Sequence, residues 1–242
     1  MNARLSCVSV AAGAMLAIAA ACPADTNGYR PGKGGIGVQM GGSSIVSEAD
    51  YSAGASPRFA FDMHWRYAVV PWLRWQISPG FTWGGYSDQG RAPFREKNFP
   101  ADSTKANYLT LLLPISAQLQ FTSNRGPWLY YAGAGPGIYR VWVENHRKVV
   151  EDPASHKLHR GVYPGATFQV GAERFLKALP STSVEVSLDA HYVLARRDAQ
   201  FPSGWNSKLV NVGIRVGGNY YFVPNPAKKK EEGAGGVAPT IP

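Results

Sequence analysis

Strict alternation of bulky apolar and polar residues, repeated along most of the chain, most constrains what this sequence can become. In "FAFDMHWRY", Phe59, Phe61, Met63, Trp65 and Tyr67 share one parity, and Ala60, Asp62, His64 and Arg66 share the other, with Arg58 extending the polar set. A strand sends successive side chains to opposite faces, so this segment has one greasy face and one charged face. The pattern recurs around Ile36, Val38 and Met40, and in "LRWQISPGFTW", "YLTLLLPISAQLQF", "VYPGATFQVGAE", "SVEVSLDAHYVL" and "LVNVGIRVGGNYYF". In an eighth segment, "WLYYAGAGPGIYRVWV", Gly133, Gly135 and Gly137 share parity with Tyr131, Tyr139 and Val141. Parity leaves its facing open, and its glycines predict a bulge near Tyr139.

The connections alternate as well. Those near 43–56, 87–105, 144–160 and 197–206 are long and polar; "AVVPW", "TSNRGP" and "KALPST" are tight turns. Eight segments, each near or above the roughly 9–11 residues that a tilted strand needs to cross a bilayer, with one loop-rich end and one trimmed end, predict a membrane barrel. The expected fold is all-β: an eight-stranded antiparallel up-and-down transmembrane β-barrel.

Volume decides which face is inside. The interior of an eight-stranded barrel is only wide enough to be filled by side chains. Phe59, Phe61, Trp65, Trp75, Phe81, Trp83, Phe121, Phe168 and Tyr192 will not fit there together, whereas the polar parity, rich in glycine, serine and threonine, will. A soluble lipocalin-like barrel is the rival with the facing reversed. With the aromatics outside, the lumen is expected to hold Arg58, Asp62, His64, Arg66, Arg74, Glu173, Glu185, Asp189, His191 and Arg215. Four arginines then face four carboxylates in a paired network. A charge placed at Phe61 or Met63 should block membrane assembly.

The termini read as processing and tail segments. Arg4 and the apolar run Leu5–Ala21 resemble a secretory signal, giving expected boundaries of 1–24 for the signal, 25–33 for an N-terminal periplasmic segment, 34–222 for the barrel and 223–242 for a flexible periplasmic tail. Cleavage after Ala24 would remove both cysteines, Cys7 and Cys22; lipidation at Cys22 is the alternative. The net charge of +9 is dispersed, and no segment interleaves basic residues with exposed aromatics, so a nucleic-acid partner is not expected.

"YLTLLLPISAQLQF", "WLYYAGAGPGIY" and the closing "VGIRVGGNYYF" together resemble the small outer-membrane barrels of Gram-negative bacteria, of the OmpA/OmpX and OmpW-like types. The resemblance spans roughly 34–222 and implies insertion in the outer membrane, periplasmic termini and external loops. Partners implied are outer-membrane lipid and lipopolysaccharide and the outer-membrane assembly machinery, with the protein as a monomer. The chain departs from many relatives in continuing twenty residues beyond Phe222.

Chemistry is sparse. His64 and His191 lie beside Asp62 and Asp189, and Ser187 shares the parity of His191, but the Ser–His spacing along the strand is on the order of 13 Å. Some relatives modify lipids with a His and a Ser at the lipid-facing rim; here the histidines are read as members of the lumen network, and no enzyme activity is expected. His146, His156 and His159 with Glu151 and Asp152 offer an H-x-x-H pair that could bind zinc; solvated histidines are the preferred reading, and no metal or other cofactor is expected. Arg147, Lys148, Lys157 and Arg160 make that loop basic enough to meet lipopolysaccharide phosphates. Two functions follow: a structural or surface-interaction barrel, or a narrow channel or transporter for small solutes, through the lumen or laterally into the membrane.

Overall fold

The computed structural model describes residues 29–46, 55–86, 107–151, 156–195 and 209–222. The signal segment, the tail and Asp152 lie outside them, as do most of the first, second and fourth long connections. Eight long strands are present: β1 (Gly34–Ile45), β2 (Arg58–Val70), β3 (Leu73–Tyr86), β4 (Tyr108–Arg125), β5 (Trp128–Asn145), β6 (Arg160–Leu176), β7 (Leu179–Val193) and β8 (Leu209–Phe222). Each pairs antiparallel with its neighbours in sequence, and β1 pairs with β8, which closes the barrel. Closure removes the sheet edges that would otherwise leave backbone groups unsatisfied in hydrocarbon.

The registers fix the geometry. Directly paired residues lead from Gly34 through Tyr67, Trp75, Leu119, Ala134, Phe168, Ala190 and Val212 back to β1 at Ser44. The circuit closes ten residues (34 to 44) further along the strand, a stagger that tilts the strands by about 40° from the barrel axis.

Facing follows the alternation. Met63, Trp65, Ile115, Leu119, Phe121, Ile138, Phe168, Leu188 and Ile214 are exposed on the outer wall, while their immediate neighbours are buried; Trp65 is 54% exposed and Arg66 1%. A wall of this kind in water would be one continuous apolar surface, so its natural solvent is lipid. The outer aromatics also touch one another, Trp65 against Trp75 at 6.0 Å and Phe81 against Trp83 at 5.2 Å between centroids.

One sequence expectation changes here, and one facing left open is decided. The pairing of β5 with both neighbours keeps a single register past Tyr139, so no bulge lies there. Instead the glycine parity of β5 turns inward and carries Tyr131 and Tyr139 with it, both buried. Glycines supply the missing volume: a Cβ at Gly165 or Gly137 would come within 2.8 Å of the Tyr139 ring, and one at Gly171 would collide with the Tyr131 hydroxyl. The aromatics inside the barrel also include Tyr108, Phe175 and Tyr221. Bulk inside is therefore permitted wherever glycine stands opposite.

The trimmed end uses turn chemistry suited to hairpins. Gly126, at φ +60°, precedes Pro127 between β4 and β5, as a two-residue turn with a positive first φ requires. At the other end, Lys148–Val149 folds back on β5 through His146 and Arg147, both with positive φ, and Glu151 bridges to Leu158. The third long connection is thus a hairpin extension, not an open loop.

Candidate functional site: the charged lumen

Of the ten residues expected in the lumen, the barrel buries nine: Asp62, His64, Arg66, Arg74, Glu173, Glu185, Asp189, His191 and Arg215. Arg58 is the exception. It opens β2 at the loop-rich rim, is exposed, and lies across Gly85, clear of the buried network. The register against β3 shifts by one residue between Ala60–Thr82 and Ser56–Gly85, and alternation does not carry through such a shift. The four-against-four balance is corrected accordingly: three buried arginines stand among four carboxylates.

The nine form two clusters. On the trimmed side, Arg66 grips Glu185 with both terminal nitrogens (2.7 Å each) and reaches Glu173 at 2.9 Å, and Arg74 donates to the same Glu173 oxygen. The second oxygen of Glu173 accepts from Tyr221 at 2.6 Å, Ser183 at 3.0 Å and Asn219 at 3.3 Å. Tyr131 donates to Glu185 and lies under both guanidiniums, 5.4 Å from that of Arg66 and 4.5 Å from that of Arg74. Two cations meet two anions, with the spare lone pairs satisfied, as a buried ion network demands.

Towards the loops, Arg215 donates to Asp62 and to Asp189 (2.8 Å). His191 lies 3.1 Å from Asp189 and 3.3 Å from the Tyr139 hydroxyl. His64 connects the clusters: its Nδ1 lies 3.2 Å from Asp62, and its Nε2 hydrogen-bonds Asn219, itself a donor to Glu185 at 2.7 Å.

The sequence reading passed over the layer between them. Gln39, Gln76, Gln118, Gln120 and Gln169 are all buried, and Gln120 donates to Gln76, Gln118 and Gln169 at 3.1, 3.2 and 3.0 Å. Arg66 and Arg74 also donate into this layer, to Gln76 and Gln120. The signal was available, since these glutamines share the parity of the charged residues. Next to the layer, between Gln118, Thr167, Asp189 and Arg215, a cavity leaves about 10 Å³ for water centres, about one molecule.

Apolar residues close the lumen at both ends. Towards the loops, Ile45, Tyr108, Leu112, Val141, Val143, Val150, Val193 and Leu209 pack with Tyr139, Val150 coming from the hairpin extension. At the trimmed end, Tyr29 packs with Ala68, Leu129, Phe175 and Tyr221. The segment before β1 is anchored there by Gly32 N–H to Ala68 O at 2.8 Å and Ala68 N–H to Lys33 O at 3.0 Å. Burial pushes the Tyr29 phenol pKa upward, which keeps this cork uncharged.

Neither catalytic nor metal-ligating geometry emerges among the described residues. Ser187 donates to Gln39 at 3.3 Å, inside the lumen and away from lipid. In the hairpin extension, exposed His156 pairs with Glu151 at 2.8 Å while His159 is buried, and no group of three potential metal ligands forms among the described residues.

No protein-family model matches the chain, and no curated protein matches it in sequence. Solved structures do match. Neisserial surface protein A (NspA) aligns over 78% of this chain and 97% of its own, with a TM-score of 0.51 and 11% identity. Ail, the attachment invasion locus protein of Yersinia pestis, solved with the heparin analogue sucrose octasulfate, aligns over 79% and 99%, at 0.47 and 14%. OprG of Pseudomonas aeruginosa aligns over 83% and 100%, at 0.46 and 12%. At such identities the NspA match speaks for fold, and it agrees with the closed wall and the outward apolar face. In fold, the chain belongs with the small eight-stranded outer-membrane β-barrels.

Proposed function

We propose that this protein is a plugged outer-membrane barrel with a structural or surface-interaction role, exercised through its external loops. The observation that carries the reading is the filled lumen among the described residues: two ion clusters, a glutamine layer and an apolar cork at each end, with a cavity beside the layer that holds about one water. A solute passing through would have to break buried ion pairs whose partners cannot be left uncompensated. Basic residues of the hairpin extension, Arg147, Lys148, Lys157 and Arg160, supply the charge for lipopolysaccharide phosphates. Export, monomeric assembly by the outer-membrane machinery and the absence of an enzymatic role belong to the same reading. The refolded protein in planar bilayers should show no discrete openings; reproducible single-channel steps would overturn the plugged barrel.

A lateral route into the membrane is the second reading, favoured by one feature of the wall. Pairing between β2 and β3 lapses at Met63 and His64, opposite Ser78 and Pro79, and between β3 and β4 at Gly80 and Phe81. Proline cannot donate to the ladder, and Pro114 lies across from Gly80. A disulfide linking β2 to β3 at this seam should abolish uptake of an apolar solute into liposomes under this reading, and leave surface binding intact under the first.

A further inference from the structure

The outer wall is not uniform. From β4 to β8, directly paired Phe121, Ala132, Val170, Leu188 and Ile214 make one outward row, and Ser123, Tyr130, Ala172, Val186 and Val216 make the row beneath it, nearer the turns. Ala132 and Ala172 are too short to fill the space between their neighbours. They leave an apolar groove of about 590 Å³, walled by Phe121, Tyr130, Val170, Val186, Leu188 and Ile214. The stagger makes this direction climb the barrel, so four strand spacings of about 4.8 Å carry the groove obliquely for roughly 19 Å into the hydrocarbon. At the strands' tilt of about 40° this path rises about 12 Å, most of one leaflet's share of the hydrocarbon core, which is about 15 Å deep.

The next row down is charged. Arg125, Trp128 and Arg174 are directly paired across β4, β5 and β6, and the Arg174 guanidinium lies 5.5 Å from the Trp128 ring centroid. Arg125 also lines the groove's lower end. Arg30 and Lys177 are exposed at this end too, and no carboxylate is exposed there among the described residues. A second outer groove, of about 720 Å³ between Ile36, Met63, Trp65, Ile77 and Tyr220, has no lysine or arginine in its lining.

We propose that the first groove is a site for one anionic phospholipid of the periplasmic leaflet. Its phosphate sits between Arg125 and Arg174, beside Trp128, and one acyl chain follows the floor over Ala172 and Ala132. Charge complementarity selects the head group, and the groove selects a molecule that carries an apolar chain. The site does not depend on whether the lumen conducts.

The test uses the full chain in nanodiscs of equimolar phosphatidylglycerol and phosphatidylcholine with identical acyl chains, and native mass spectrometry of the lipids retained on release. A basic residue near a membrane surface is worth roughly a fivefold preference for anionic lipid. Arg125→Gln and Arg174→Gln should each lower the phosphatidylglycerol preference by roughly that factor, and the double variant should bring it near parity. Ala172→Phe, which fills the groove but keeps both cations, should cut retention of the bound lipid. Arg140→Gln removes a similar arginine, 5.6 Å from Trp142 at the loop end, and should change nothing. Heat-modifiable gel migration reports that each variant is folded. Equal retention of the two lipids by the parent protein would overturn the proposal, as would full selectivity in a folded double variant. So would displacement of the lipid by excess inorganic phosphate, which would mark an anion site without a lipid.

Discussion

The two ion clusters in the lumen are built on the same inward parity and both draw on β2 and β7, yet they differ in charge. The cluster near the turns sets Arg66 and Arg74 against Glu173 and Glu185. The cluster nearer the loops sets Arg215 alone against Asp62 and Asp189 and makes up the difference with two imidazoles. The missing partner is Arg58, which is exposed at the loop-rich rim. One cluster is thus balanced in charge, and the other has a surplus carboxylate. Deleting a group should therefore cost more in the first cluster than in the second.

The largest expected effect comes from Arg66→Leu. It strands two buried glutamates, only one of which keeps a guanidinium, and should cost about 3–5 kcal/mol in reversible urea unfolding from phospholipid vesicles. The same deletion at Arg215 should cost less, about 2–3 kcal/mol, because Asp62 and Asp189 each keep a histidine nitrogen within 3.2 Å. Equal losses at the two positions would mean that the imidazoles contribute nothing.

Carboxylate deletion sharpens the contrast. Glu173→Gln leaves Arg66 paired with Glu185 but Arg74 without a carboxylate, and should cost about 3 kcal/mol. Asp62→Asn removes the surplus anion, keeps a hydrogen-bonding side chain for Arg215 and His64, and should stay within about 1 kcal/mol of the parent. If Asp62→Asn proved as damaging as Glu173→Gln, the loop-side cluster would carry no excess charge.

Much of this was legible in the sequence because a barrel wall has a period of two. The alternation around Phe59–Tyr67 assigned Asp62, His64 and Arg66 to the lumen and Met63 and Trp65 to the outer wall, where the structure places them. Arg58 was misassigned because the register against β3 shifts by one residue between Ala60–Thr82 and Ser56–Gly85, which leaves its side chain beside Gly85. Tyr131 and Tyr139 escaped the volume argument because their room comes from Gly171, Gly165 and Gly137, glycines of the same or the neighbouring strand. The glutamine layer was visible as polar residues, but its connectivity joins side chains from four strands, whose registers are set by closure. The apolar corks combine residues from strand ends with Tyr29 and Val150, which no strand pattern contains.

The smallest effect bears on whether the lumen holds two clusters or one network. Asp62 and Glu185 share no direct contact, but His64 lies 3.2 Å from Asp62 and 3.9 Å from Glu185, and hydrogen-bonds Asn219 between them. Sites without shared partners add within about 0.3–0.5 kcal/mol, whereas members of one network depart from additivity by more. A double-mutant cycle of Asp62→Asn with Glu185→Gln should therefore show a coupling of about 0.5–1 kcal/mol, since each change alters what His64 can offer the other side. Repeated in a His64→Leu background, the cycle should become additive within about 0.3 kcal/mol, because only the neutral glutamine layer then joins the clusters. A coupling that survived loss of His64 would show that the glutamines transmit charge effects. The difference between the clusters would then belong to the whole lumen rather than to its two halves.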